Sequence, residues 1–415
     1  MAGDVTKAVT QNAQQHLRSW QILIPIGCLY IGFGVMAALL QGGLPPIFRA
    51  QGMPIEKLAW LFALYLPIGL SFLWAPLVDR WKPPLLTQRI GWIVLAQAVA
   101  IAGITAVALQ EHAHHSMLFA WGLLVAMAVA TMDLALDALA VELTPKDIKP
   151  WASAVKLGAL AIGSMVGGGL FVNLLNHIGW QSTFLWVALL LLLSTLPVFT
   201  LLHYEQHLYA QQLVQVQHWF ACLRQTHIRR YLILLSVLAA IIFPLSALNR
   251  VMLVDLGVST DEIGWLLGTL QPLGLLAIAA VSAPLMQHVG YRSTLQIMAV
   301  VGVLCVALMC WGYVERTTWP AIVGTVGMST VVGGFMVVFA ALILQWSEGP
   351  QAATNYAVLF CSTRLAGMLA TVFASKLVAQ LSWPVYYGVG GIALAAASMW
   401  FIHTLRAPST SIPNT

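Results

Sequence analysis

The sequence predicts an all-α membrane protein with twelve transmembrane helices in two pseudo-symmetric six-helix bundles. Three observations predict it. Hydrophobic residues make up 60% of the 415 and charged residues only 8%, with a mean hydropathy of +0.85. Soluble chains sit nearer ~45–50% apolar and ~25% charged, so this one lacks the polar surface that water requires. A soluble enzyme, a disordered chain and a disulfide-held secreted scaffold are excluded. The apolar residues also fall into twelve runs, each near the ~20 residues that cross a ~30 Å hydrocarbon core. Finally, the runs divide as six, linker, six, and the two halves share short strings in register.

Taken in order, the runs lie near 20–44, 58–78, 90–110, 116–143, 151–175, 182–203, 229–249, 263–286, 293–313, 320–346, 353–380 and 385–405. The first 19 residues are polar, and the run that follows is too long for a signal-peptide core, so it reads as the first span. Most connectors are short. The long one, 204–228, opens with Tyr204, Glu205, Gln206 and His207 and continues through the polar run Gln211–Gln217. The expected organisation is a bundle over 1–203, a cytoplasmic linker over 204–228 and a second bundle over 229–415.

Lys and Arg orient the chain, because they favour the cytoplasmic side. With the N-terminus inside, twelve fall in inner segments: Lys7, Arg18, Arg80, Lys82, Arg89, Lys146, Lys149, Arg224, Arg229, Arg230, Arg292 and Arg406. Four fall in outer loops (Arg49, Lys57, Arg250, Arg316) and three inside helices (Lys156, Arg364, Lys376). Both termini are therefore expected in the cytoplasm. The internal repeat pairs Gln51-Gly52-Met53 with Leu256-Gly257-Val258, an offset of 205 from Gly52 to Gly257. Ala75-Pro76 recurs as Ala283-Pro284, at an offset of 208. Such repeats build secondary transporters, which place substrate near the membrane midplane.

A charge inside a bilayer costs at least ~2.5–3.5 kcal/mol and marks a candidate site. Asp133 and Asp137, four residues apart in the fourth run, share a helix face. Two carboxylates that close, away from bulk water, favour one bound proton, which suits proton coupling. Glu142 lies near the inner end of the same run. Lys156, about one and a half turns into the fifth run, is placed to pair with Asp137. The carboxylates then have three readings: a lock between helices, a proton carrier or a substrate contact. Arg364 follows Lys156 by 208 residues, so the repeat carries one cation into each half, which suits an anionic substrate. Asp79 and Arg80, in the loop after the second run, are candidate gating residues with Glu142. Tyr30, Tyr65, Trp74 and Tyr356, with Gln41 and Gln271, are candidates to contact substrate. The glycines of the fifth run, Gly158, Gly163, Gly167, Gly168 and Gly169, read as close helix packing.

Other chemistry has little support. The net charge of +5 is scattered, so no nucleic-acid partner is expected. The five cysteines form no CxxC pair and read as apolar packing residues. There is no Walker motif, HExxH or GxSxG pattern. The tract Glu111-His112-Ala113-His114-His115 reads as a solvated loop rather than a metal site. No cofactor and no metal are expected.

The stretch Ser71-Phe72-Leu73-Trp74-Ala75-Pro76-Leu77-Val78-Asp79-Arg80 resembles the K-F-L-W-[AS]-P-L-x-D-R motif of AmpG-type muropeptide permeases, within the major facilitator superfamily. The RhtX/FptX siderophore transporters carry a similar motif. Met132-Asp133 through Asp137-Ala138 looks like the Q-D-x-x-x-D-[AG] segment, and Lys156-Leu157-Gly158 like Y-[KR]-L-G. Ser71 replaces the usual Lys and Met132 the usual Gln. The likeness is best over the first six spans and faint in the second half.

The resemblance implies a bacterial inner-membrane importer driven by protons. Twelve spans with a short tail put siderophore or ferric-siderophore uptake first, with protons, the lipid bilayer and an iron-chelate as partners and a monomer as the working form. A muropeptide or another small anionic solute is the alternative substrate. A non-transporting membrane receptor is the alternative of another class.

Overall fold

The computed structural model describes residues 2–84, 86–111, 114–144, 149–209, 226–346 and 352–405. Among them twelve helices are long and apolar enough to cross a membrane. We number them α1 Trp20–Ala50, α2 Ile55–Leu73, α3 Gln88–Ala108, α4 Ser116–Leu143, α5 Ala152–Ile178, α6 Trp180–Gln206, α7 Ile228–Asp255, α8 Thr260–Ser282, α9 Pro284–Val314, α10 Thr318–Ile343, α11 Val358–Gln380 and α12 Trp383–Thr404. The helical form follows from the solvent. Lipid offers no partner for a backbone N–H or C=O, so each segment must satisfy its own. Most of the 204–228 connector and the His112–Ala113 pair lie outside the described residues.

The repeat seen in the sequence reappears in the backbone. Gly52 and Gly257 stand at φ +88° and +95°, a conformation that a residue without Cβ enters freely. At the end of α1, Met53 N–H donates to Phe48 O (2.9 Å) and Gly52 N–H to Arg49 O (3.0 Å). At the end of α7, Val258 N–H donates to Leu253 O (3.0 Å) and Gly257 N–H to Val254 O (2.9 Å). Both are Schellman caps, which satisfy carbonyls left over at a helix end.

The likeness reaches further back along each helix. A π-helical turn, Leu39–Gly43, interrupts α1 before its last segment, Leu44–Ala50. A break at Leu248 interrupts α7 before Asn249–Asp255, which is the same seven-residue length at the same 205-residue offset. A second π-turn, Val166–Leu170, interrupts α5 in its glycine run. Near the start of α9, Gly290 at φ +80° breaks the helical run.

The chain forms two compact units. One comprises Met1–Ala38, Ser71–Gly167 and Leu174–Gln215; the other comprises Leu39–Leu70, Gly168–Asn173 and Val216–Thr415. In the first unit α1 and α5 touch at backbone distance. A Cβ on Gly34 would lie 2.9 Å from Leu160 O, and one on Gly163 would lie 2.8 Å from both Gly34 Cα and Val35 N. In the second unit Leu58 and Phe62 of α2 are buried in one apolar core with α7–α12, and α2 meets α11 where Gly69 faces Met368.

Arg250 corrects the sequence reading. It lies inside α7, 8% exposed, not in an outer loop, because the helix resumes after Leu248 and runs on to Asp255.

Glu205, read as the start of a polar connector, ends α6 fully buried. It accepts Thr87 Oγ1–H (2.5 Å), Arg89 N–H (2.6 Å) and Ile90 N–H (3.2 Å). These include free amides of the first turn of α3, so a carboxylate from α6 caps another helix.

The glycines of α5 differ in what surrounds them, and this makes a test. Gly163→Ala is expected to cost about 1–3 kcal/mol, because the added methyl meets the backbone of α1 and the helices must separate. Gly158 has nothing within 4 Å of an added Cβ. Gly158→Ala should therefore be neutral or gain up to about 1 kcal/mol from helix propensity. Thermal unfolding of the two variants in detergent checks the contrast; equal melting temperatures would refute the packing role of Gly163.

Candidate functional site

Of the charged residues predicted inside the bilayer, Lys156 and Asp137 meet in the first unit. Lys156 Nζ of α5 lies 2.6 Å from Asp137 Oδ1 of α4. Tyr30 of α1 donates its hydroxyl to the same oxygen at 2.5 Å. The Lys156 ammonium also stands 4.7 Å from the centre of the Tyr30 ring, a cation–π contact. The glycine contact between α1 and α5 places this triad. Tyr30 lies one turn before Gly34 and Lys156 two turns before Gly163, so the two side chains reach the same level.

Asp133 lies one turn from Asp137 and within electrostatic reach of the Tyr30 hydroxyl. The side chains of Lys156 and Asp137 keep 36% and 47% of their surface open. The pair is therefore half-open rather than sealed. Nearby, Trp74 donates its indole N–H to Thr131 Oγ1 of α4 at 3.1 Å, two residues before Asp133.

A second charged group gathers where α3 begins and α4 ends. Arg89 binds Asp79 Oδ1 (2.6 Å) through Nη1 and Glu142 Oε1 through Nη2 (2.9 Å) and Nε (3.1 Å). The side chain of Gln88 donates to the carbonyls of Val78 and Asp79. Two of the three predicted gating residues are thus joined by Arg89, which sequence reasoning did not select. The third, Arg80, is exposed and makes none of the ion pairs among the described residues.

The other predicted residues belong to the second unit. Gln271 of α8 is held by a buried cation: its Oε1 accepts from Arg250 Nη2 (2.6 Å) and Nε (3.1 Å). Its Nε2 donates to Ser329 Oγ of α10 at 2.8 Å. Gln41 lies in the π-turn of α1 and is exposed. Tyr65 sits at a break in α2, ahead of Pro67, and is half-buried. Arg364 of α11 lies 5.7 Å from the ring centre of Phe360. The side chain of Tyr356 is outside the described residues.

Arg49 and Asp255, at the capped ends of α1 and α7, form a two-pronged pair at 2.5 Å and 3.1 Å. Trp383 Nε1 donates to the same carboxylate at 2.8 Å. Neither Arg49 nor Asp255 was singled out as a site residue. Their position beside the repeated glycine turns was the available signal.

The comparisons agree with this architecture. A family model described as Major Facilitator Superfamily matches residues 26–251 and 231–415. Putative transporter AmpG 4 of Rickettsia felis is 22% identical over 404 residues, 92% of this chain and 96% of that one. The Anhydromuropeptide permease of Escherichia coli K12 is 26% identical over 184 residues, which is 43% of this chain and 38% of the permease. An uncharacterised protein of Haemophilus influenzae is 31% identical over 168 residues, 40% of each chain. The match therefore spans well under half the length of the last two.

Among solved structures, the nucleoside transporter NupG superposes with a TM-score of 0.73 at 12% identity, over 93% of this chain and 99% of its own. A POT family transporter in complex with 5-aminolevulinic acid gives 0.73 at 12% identity, over 94% and 97%. Identities this low speak for the fold alone. Twelve spans, a shared fold and a family match across nearly the whole length lead to one assignment: the chain is a membrane transporter that belongs to the Major Facilitator Superfamily and resembles its AmpG-type permeases.

Proposed function

We propose that this protein is a proton-driven inner-membrane importer of a small anionic solute of the muropeptide class, working by alternating access. The observation that carries the reading is the half-open Tyr30–Asp137–Lys156 triad. In it one carboxylate neutralises one cation inside the membrane, and both remain reachable. When Asp137 takes up a proton its charge is gone, and Lys156 loses its partner. The ammonium then pairs with an anionic group of the solute. Release of the solute restores the need for a counter-charge, Asp137 gives up its proton and the pair re-forms. Each ionic state is compensated, so no bare charge is left in low dielectric.

In this reading Asp133 shares the electrostatic load of Asp137, and Trp74 fixes the neighbouring turn of α4. The Asp79–Arg89–Glu142 group, with Arg80, works at the cytoplasmic end. Arg364 supplies the second cation for the solute, with Gln41, Tyr65, Gln271 and Tyr356 as further candidates for contact. Both termini are cytoplasmic, and the halves 1–203 and 229–415 act as the repeats. The likeness to the Anhydromuropeptide permease of Escherichia coli supports a muropeptide over the iron-chelate that the sequence put first.

Three measurements test this. Cells carrying the protein as their only candidate importer are given labelled anhydromuropeptide and, separately, labelled ferric siderophore. Accumulation of the first is expected. Accumulation of the second alone would overturn the substrate assignment and leave transport intact.

In proteoliposomes, Asp137→Asn should lower gradient-driven accumulation about tenfold or more, the scale of one lost charge-assisted contact, while equilibrium exchange persists. Normal accumulation by this variant would refute the proton role.

Arg364→Ala should weaken solute binding by about tenfold on the same scale, with normal insertion. Unchanged affinity would leave that cation a structural role only.

A further inference from the structure

The Arg250 cluster is the most thoroughly buried cation site among the described residues, and the triad mechanism does not use it. All four of its hydrogen bonds end on neutral oxygens. Nη1 donates to Gly42 O (3.0 Å) and Gly168 O (2.6 Å); Nη2 and Nε donate to Gln271 Oε1 (2.6 Å and 3.1 Å). Those acceptors come from three other helices, α1, α5 and α8.

The two carbonyls have a common origin. Gly42 lies in the π-turn of α1 and Gly168 in the π-turn of α5. A π-turn disrupts the regular i→i−4 ladder, so carbonyls become available to outside donors. Arg250 itself is the second residue after the break in α7. Three helix irregularities therefore converge on one guanidinium.

The fit is close. A Cβ on Gly42 would lie 3.0 Å from Nη1 and 3.1 Å from Cζ of Arg250. Beside it, α5 and α8 pass at backbone distance, with a Cβ on Gly169 lying 2.9 Å from Gly268 Cα. Behind it, Gln271 is held by Ser329, which also accepts from Asn249 Nδ2 at 3.3 Å. A planar fork with five donors can bridge several helices at once; an ammonium cannot match that geometry.

We propose that Arg250 is the latch that holds the outer ends of α1, α5, α7 and α8 together in the state seen here. Opening of that end withdraws the carbonyls of Gly42 and Gly168 from the guanidinium, while Gln271, on the following helix of the same half, stays with it. Neutral acceptors make the latch reversible. At the guanidinium itself no salt bridge has to be broken, and water can replace the carbonyls as the end opens; the Arg49–Asp255 pair between α1 and α7 parts in the same movement. The inference rests on the alternating-access reading and on the orientation that goes with it.

The test is a distance measurement. Spin labels go on Lys57→Cys at the start of α2 and Glu262→Cys at the start of α8, both exposed positions, in a cysteine-replaced background that still accumulates solute. Arg250→Met, which keeps bulk and loses every donor, should raise the ratio of long to short label distances about tenfold, the size of a two-state bias by charge-assisted bonds. Gly42→Ala should move it the same way by crowding the guanidinium, and it decides the matter if Arg250→Met does not fold. Distributions that match the parent in a folded, monodisperse variant would overturn the latch. The parent protein is assayed in the same labels for change on adding anhydromuropeptide and, separately, ferric siderophore. If it shifts with no solute tested, the alternating-access or substrate reading has failed, whereas a shift in the parent with none in the variants fails the latch alone.

Discussion

Lipid solvates no charge, and the arrangement of this protein depends on that. A lysine in a bilayer must bring its own counter-charge, and this requirement fixes which helices meet. Lys156 on α5 needs Asp137 on α4, and Asp137 in turn accepts the hydroxyl of Tyr30 on α1. The helices can answer the demand only because glycines let them close. Gly34 and Gly163 remove the side chains that would hold α1 and α5 apart. The pairing of ions and the stripe of small residues are two parts of one solution. Either alone leaves a charge in the membrane too far from its partner.

The same constraint explains where the backbone departs from regular helix. In lipid an irregular turn is tolerated only if another group takes over the freed carbonyls. The π-turns of α1 and α5 meet that condition through Arg250, which donates to Gly42 and Gly168. The turns and the arginine account for one another. The arginine gives both carbonyls a donor, and the carbonyls share with Gln271 the task of satisfying the guanidinium. The 205-residue offset adds a reason for the location, since α1 and α7 break and resume at equivalent places. Both copies carry an irregularity there, and only the second carries the cation; Pro45 stands where Arg250 would be.

What was legible in the sequence follows the rarity of the signal. Charged residues are scarce in this chain, so Asp137 and Lys156 stood out, and their depths alone suggested the pair the structure contains. The Gly52 and Gly257 strings carried the repeat, because a positive φ at a helix end demands glycine and preserves it in both copies. Tyr30 was one aromatic among many, and nothing local distinguishes a tyrosine whose hydroxyl meets a carboxylate from one that packs. Arg250 was read as a loop residue because Asn249-Arg250 looks like a boundary. The apolar Val251-Met252-Leu253-Val254 that follows was the sign that the helix continues. Arg89 and Glu205 were not legible as partners, because their roles depend on α3, α4 and α6 converging at one end, which is tertiary information.

The Lys156 and Arg250 sites differ in what can release them, and the proposed cycle gives them different work. A carboxylate can be neutralised by one proton without any atom moving far. In the proposed cycle Asp137 is the chemical switch, and Lys156 follows it. A guanidinium keeps its charge at physiological pH, and its acceptors here are amide oxygens that do not titrate in that range. The Arg250 cluster can respond only by changing its neighbours, which makes it a mechanical element. A proton-driven carrier needs both kinds. A protonation step alone would change charge without opening anything. A clasp alone would open without reference to the proton gradient. In the proposed cycle the proton sets which solute-binding state is stable, while the geometry at α1, α5, α7 and α8 sets which side is sealed.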